Sequence, residues 1–183
     1  MARLAGNRQH VKNPPQVVSR VQLSNGAAGT RQTLKLMAEL IRQGRVSLPV
    51  REMMKTLIRH FPQKDYMGEI KAAHAFVRDR VRYTRDIRTV ETLHTAERLL
   101  ADRQGDCDDK SILVASLLES IGHQTQLIAI GPRKGAFSHV FAQVRNPRQP
   151  DPRQLDAWIS LECTEPWPVG AMAKMKSVMV EPV

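Results

Sequence analysis

The stretch that decides the fold is GDCDDKSILVASLLESIG, residues 105–122. Ile112, Leu113, Val114, Leu117 and Leu118 make it apolar nearly all round, the pattern of a helix buried on every side. A cysteine that only filled space could sit anywhere in that run. Cys107 instead stands where the helix begins, behind Gly105 and among Asp106, Asp108 and Asp109. The first N–H groups of a helix lack intrahelical partners, and the helix dipole leaves partial positive charge there. A thiolate is the nucleophilic form of cysteine, and its ordinary pKa is near 8.5. Position 107 is therefore one where a helix lowers that value. The neighbouring aspartates oppose the effect, so a nearby imidazolium is needed to tip the balance.

Downstream of this helix the hydrophobic period changes. Residues 127–130, 140–144, 158–161 and 177–181 read as strands, with a glycine-rich turn at 131–135 and a proline-rich loop at 146–152. Upstream the period is helical. Thr30 is read as the cap of a helix ending at Gly44, and Ser47 with Pro49 opens another that runs to Pro62. Asp65 caps a helix carrying Ile70, Ala73, Val77 and Val81, and Thr89 caps the next. Val17, Ser19, Val21 and Leu23 alternate with polar residues, which suggests a short strand closed by Asn25-Gly26. Helices first and strands later define an α+β fold with a mainly antiparallel sheet.

Of the six histidines, His10 lies near the start of the chain. His60, His74 and His94 fall on helical positions read as solvated. His123 follows the cysteine helix, about 24 Å from Cys107 at about 1.5 Å per residue. His139 opens a strand in FSHVF, residues 137–141, where alternation puts it on one face with Phe141. A strand packed on the cysteine helix would bring this imidazole to the thiol. A third group should orient the ring. Glu162, in WISLECT at 158–164, is the first candidate and Asp156 the second. Cys163 points to the opposite face and is read as a small core residue.

Cysteine in GDCDDKSILVASLLESIG, histidine in SHVFAQV and acid in WISLECT, in that order, resemble the transglutaminase-like superfamily. The run AFVRDRVRY, residues 75–83, is similar to the helix that precedes the cysteine in many such domains. The resemblance covers roughly 65–166. It implies a cysteine-bearing helix packed on a small sheet, and acyl transfer through a thioester: hydrolysis of peptide or amide bonds, or transamidation. Cys107 would be the nucleophile, His139 the base and Glu162 the orienting acid, with Tyr83 and the Cys107 amide as oxyanion donors. The family acid is usually aspartate, and Glu162 is longer by one methylene. The superfamily also contains members without demonstrated activity. The alternative is therefore a binding or assembly protein that keeps the fold, as in a phage particle.

Composition agrees with one ordinary domain. The 183 residues are 42% hydrophobic and 25% charged, enough for a sizeable core. Residues 1–15 are expected to be a flexible basic arm and 16–183 a single domain, with a core at 65–166 and a helical extension at 16–64. The apolar runs are far short of the roughly 18 residues of a membrane span, and the basic start lacks the apolar centre of a signal peptide. The cytoplasm, or a particle assembled there, is the expected location. Two cysteines argue against a disulfide framework. Asp106, Asp108 and Asp109 lack the glycine and distant glutamate of a calcium loop, and a His94–Glu97 pair reads as surface. No metal or cofactor is expected. The net charge is +10, and no acid precedes Glu39. A basic arm on a near-neutral body could touch an acidic partner or nucleic acid, although no aromatic residue precedes Phe61 to stack on bases. The expected partner is a peptide or protein substrate, with no membrane.

Overall fold

The buried helix of residues 105–122 organises everything around it. The computed structural model describes residues 23–85, 92–173 and 175–183. In chain order these form α1 (Gly26–Gly44), α2 (Leu48–Ile58), α3 (Tyr66–Arg80), β1 (Arg82–Tyr83), α4 (Ala96–Asp102), β2 (Gln104–Gly105), α5 (Cys107–Glu119), β3 (Thr125–Gly131), β4 (His139–Arg145), β5 (Trp158–Leu161) and β6 (Ser177–Pro182). The fold is α+β, as the change of period predicts. Every residue of α5 from Asp108 to Leu118 is buried. Helices α1 to α4 pack around it, and β4 lies against its remaining side. Each Leu or Ile so enclosed contributes about 1.5–3 kcal/mol of transfer free energy.

The main sheet has the order β5-β4-β3-β6 and is antiparallel throughout. Its inner face supplies Leu127, Ala129, Val140, Ala142, Val144 and Leu161 to the same core that holds Leu34, Met37, Ile41, Val50 and Met54 from α1 and α2. The helical extension is thus built into the core of the domain. On the outer face Ile128, Ile130 and Phe141 form a second small cluster with Met175.

Several helix starts differ from expectation. Helix α1 begins at Gly26, four residues before Thr30, so Asn25-Gly26 starts a helix instead of ending a strand. Thr30 lies in its first turns, with its hydroxyl 3.4 Å from the Gly26 carbonyl oxygen. The expected strand falls almost wholly on residues outside the described set. Helix α4 is capped by Thr95, whose hydroxyl accepts from the Arg98 amide at 3.3 Å. Residues 92–95 precede it without helical structure, and Thr89 lies outside the described residues. A cap at Thr95 lets Ala96 and Leu99 face the core. The Asp65 cap of α3 is as expected, its carboxylate accepting from the Gly68 amide at 3.0 Å.

Candidate active site

The start of α5 is fixed from three directions. Asp106 is the N-cap, and its Oδ1 accepts from the amides of Asp108 at 3.0 Å and Asp109 at 3.2 Å. Asp109, buried, accepts from the His94 amide at 3.0 Å and pairs with His94 Nδ1 at 2.9 Å. Gly105 makes room for this pair, since a Cβ there would stand 2.6 Å from Asp109 Cβ and 2.7 Å from its Oδ2. The glycine of the Gly-Asp-Cys start is therefore required by packing. The parallel ladder of β1 and β2 sets Tyr83 opposite Gly105, and the Thr84 amide donates to the Gly105 carbonyl at 3.0 Å. Tyr83, partly exposed, is thereby carried alongside the cysteine.

Strand β4 reaches the same point from the other side. The Ser111 hydroxyl donates to the Cys107 carbonyl at 2.6 Å and lies 3.3 Å from the Val140 carbonyl. Cys107 and His139 line one cavity of about 720 Å³, bounded by the first turns of α1, the tip of α5 and the loop 135–138. His139 Nε2 bonds Glu162 Oε2 at 2.6 Å. The other carboxylate oxygen accepts from the Thr164 amide at 2.8 Å and its hydroxyl at 2.6 Å. The extra methylene of glutamate is accommodated in this way: Thr164 clamps one oxygen, and the other meets the ring. Asp156 does not approach the ring. Its carboxylate accepts from Gln149 at 2.9 Å, and its carbonyl from Asn146 at 2.8 Å, within the 146–156 loop.

The electrostatics divide the site. Burial pushes the Glu162 carboxyl up, but the bonds from His139 and Thr164 outweigh it and hold the group below the ordinary glutamate range. Cys107 goes the other way. Burial pushes its thiol far above the usual value, Asp108 and Asp106 add to this, and the nearby Val140 amide opposes them only weakly. The thiol donates to Asp108 Oδ1 at 3.3 Å. The expectation that the helix tip lowers this pKa is therefore reversed. The Asp106 carboxylate takes the N-terminal amides for itself, and desolvation dominates what remains. Tyr83 is likewise pushed up, by burial and then by the Cys107 sulfur beside it.

Three features of the site escaped the reading of the residues. His74 is not solvated. It is 1% exposed, and its Nε2 donates to the Glu162 carbonyl at 2.7 Å. Its place among Ile70, Ala73 and Val77 on one helical stripe was the available signal. His94 is not on a helix but in the segment that bonds Asp109. Lys110, only 3% exposed, donates to the Arg78 carbonyl at 3.4 Å near the end of α3; burial lowers its pKa. Nothing in its local sequence separates it from a surface lysine. His123, excluded by distance, pairs with Glu69 at 2.8 Å. His60 is exposed beside Arg59. Cys163 is a free, buried core thiol.

A cysteine thus opens an enclosed helix, and a strand-borne histidine is tied to an acid that follows the next strand. Residues 55–163 match the family model of the transglutaminase-like superfamily, more than half of the chain, and the chain belongs to that superfamily. Its structure is similar to a candidate protease from Parabacteroides distasonis ATCC 8503, with a TM-score of 0.50 and 11% identity over 72% of this chain and 30% of that one. It is also similar to a candidate cysteine protease from Cytophaga hutchinsonii, with a TM-score of 0.49 and 13% identity over 74% of this chain and 50% of that one. The chain thus spans half the length of one and under a third of the other. No curated protein sequence matches it. No described helix is long and apolar enough to cross a membrane.

Proposed function

We propose that this domain is a cysteine acyl-transfer enzyme, most simply a peptidase or amidase, using Cys107, His139 and Glu162. One observation carries the reading: the 2.6 Å bond between Glu162 Oε2 and Nε2 of His139, the imidazole that lines one cavity with Cys107. That bond leaves Nδ1 as the ring nitrogen for the thiol. Because the thiol rests protonated, the reaction begins with substrate in place. His139 Nδ1 takes the proton as Sγ bonds the substrate carbonyl carbon. The carbonyl oxygen becomes an oxyanion, for which the Cys107 amide and the Tyr83 hydroxyl are the candidate donors. The C–N bond then breaks, and the amine leaves with the proton from His139. Water, deprotonated by the same imidazole, attacks the thioester and frees the acid and the thiol. An amine in place of that water would give transamidation.

A second reading, binding or assembly without catalysis, is favoured by the same protonated thiol. An activated acyl ester supplied at pH 7 separates the two. The first reading expects a covalent acyl adduct on Cys107, seen by mass spectrometry, that turns over in the parent and is lost in Cys107→Ser. In His139→Asn it should form at least about 10²-fold more slowly, the scale of a lost general base. Equal adduct formation in parent and His139→Asn would sink the enzyme.

A further inference from the structure

Strand β6 bounds the sheet on one side, and among the described strands it pairs with β3 alone. The Val183 amide donates to the Thr125 carbonyl at 3.4 Å, and bonded pairs alternate along an antiparallel ladder. In the register of β3 and β6 the amides and carbonyls of Val178 and Val180 therefore point away from β3. No described backbone meets them there. Their side chains share the outer face of the sheet with their Cα partners Ile130 and Ile128, and remain 57% and 44% exposed. Soluble proteins ordinarily guard such an edge with charge or with a cover. Here the middle of the edge is apolar and the charges stand at its ends, Lys176 just before the strand and Glu181 near its close. Neither has an ion-pair partner among the described residues.

We propose that β6 is a docking edge for a second copy of this chain, the two strands running antiparallel about a twofold axis at Met179. In that register Val178 of each copy stands opposite Val180 of the other, and each amide donates to the carbonyl facing it. The valines meet as cross-strand pairs on one continuous face, and the two sheets join into one. Pro182 has no amide to donate and ends the ladder. Lys176 of each copy reaches the end of the strand that carries the partner's Glu181. A parallel pairing would instead set like charges together, so the edge is complementary to itself in the sense that a twofold interface requires. The net charge of +10 opposes association, but this repulsion is screened beyond about 8 Å at physiological salt.

The edge is also tied to the candidate active site. Ser177, the first residue of β6, accepts from the Gly135 amide at 2.8 Å and donates to the Arg133 carbonyl at 2.9 Å, and Gly135 lines the Cys107 cavity. Pairing would brace the loop that bounds that cavity, while using no group of the acyl-transfer reading.

Sedimentation equilibrium of the full chain tests the proposal. The mass should be that of two chains at about 200 µM and of one chain at about 1 µM, the range of a small interface. Val180→Pro removes an amide from the free edge, where proline is otherwise tolerated. It should weaken association at least about tenfold, the scale of about 1.4 kcal/mol, with the thermal melt of the dilute protein unchanged. Lys176→Glu and Glu181→Lys should each weaken self-association. An equimolar mixture of these two variants should restore it, because every 176 side chain then meets an opposite charge at 181 of the other. The mass of one chain at every concentration would overturn the proposal, as would a dimer indifferent to Val180→Pro. In such a monomer, amides of Val178 and Val180 protected from hydrogen exchange would assign the edge to a segment of the same chain. Free exchange there would leave it to an extended peptide of another protein, and either result removes the second copy.

Discussion

The His74 imidazole, on α3, donates to the backbone carbonyl of Glu162 at 2.7 Å across 88 residues of sequence. The residue whose carboxylate orients His139 is thus itself held in place by a buried ring on another element. His74 is a positioning residue, one step removed from the candidate chemistry. Desolvation pushes its pKa below the ordinary imidazole value, and the hydrogen bond to Glu162 only partly offsets this.

His74→Ala should lower stability by about 3 kcal/mol, because it opens a cavity and orphans a buried carbonyl. The pH dependence has a definite sign. As the pH falls through about 6.5, the unfolded chain takes up a proton that the folded ring refuses. The stability due to neutral His74 is complete above that value and is lost as the pH falls toward the folded pKa. Urea titrations between pH 7.5 and 5 should therefore show a shallower decline for His74→Leu than for the parent. Identical slopes would mean that His74 does not titrate as its burial requires.

The thiols predict an alkaline limit. Cys107 and Cys163 are both pushed up, mainly by burial. A raised folded pKa contributes stability that is complete below the ordinary thiol value and is lost as the pH climbs past it. Denaturant midpoints should fall above about pH 8.5, and Cys163→Ala should flatten part of that fall. A midpoint independent of pH from 8 to 10 in both proteins would contradict the burial.

Glu162→Gln keeps the Thr164 clamp but removes the charge facing His139. We expect kcat to drop by about 10²–10⁴-fold with KM little changed, the scale of a lost orienting acid. Glu162→Asp shortens the reach between the clamp and the ring, and should fall between the parent and the glutamine variant. Full activity in Glu162→Gln would leave the acid without a chemical part.

Ser116 offers a purely structural test. Its hydroxyl is fully enclosed and has no hydrogen-bond partner among the described residues. Ser116→Ala removes an orphaned polar group and should stabilise the protein by about 1 kcal/mol, a Tm rise of about 3 °C for a domain of this size. The facing Gly44→Ala should do the reverse, since its Cβ would stand 2.5 Å from Ser116 Oγ. Calorimetry of the two variants checks both signs.

Gly105→Ala should cost about 1–3 kcal/mol as an overpacking change. It should also raise KM or lower kcat by moving the Asp109–His94 pair and the tip of α5 with it. A neutral outcome in both thermal melts and turnover would show that the Gly-Asp-Cys start tolerates a side chain.

The elements that could be read from residues were those whose period had one buried solution. Helix α5 has no polar residue between Ile112 and Leu118 apart from Ser116. His139 opens β4 because the apolar alternation starts at Val140, and the acid follows β5 by the same rule. What could not be read was decided by contacts distant in sequence. The start of α4 at Thr95 goes with the burial of Ala96 and Leu99 against distant elements. The roles of His74 and His94 depended on partners 88 and 15 residues away, and the Asp156 carboxylate bonds within its own loop. The sign of the Cys107 shift depended on burial and on how the Asp106 carboxylate spends its hydrogen bonds, and neither is visible in a run of letters.

The Asp106 cap carries a consequence beyond the reaction. Peroxide and other electrophilic oxidants react with sulfur that has shed its proton. By occupying the helix amides and crowding the thiol with negative charge, the cap leaves the resting sulfur in its inert form. The chain should therefore pass through an oxidising environment without being modified at Cys107, and its vulnerability should arise only in the moment of engagement.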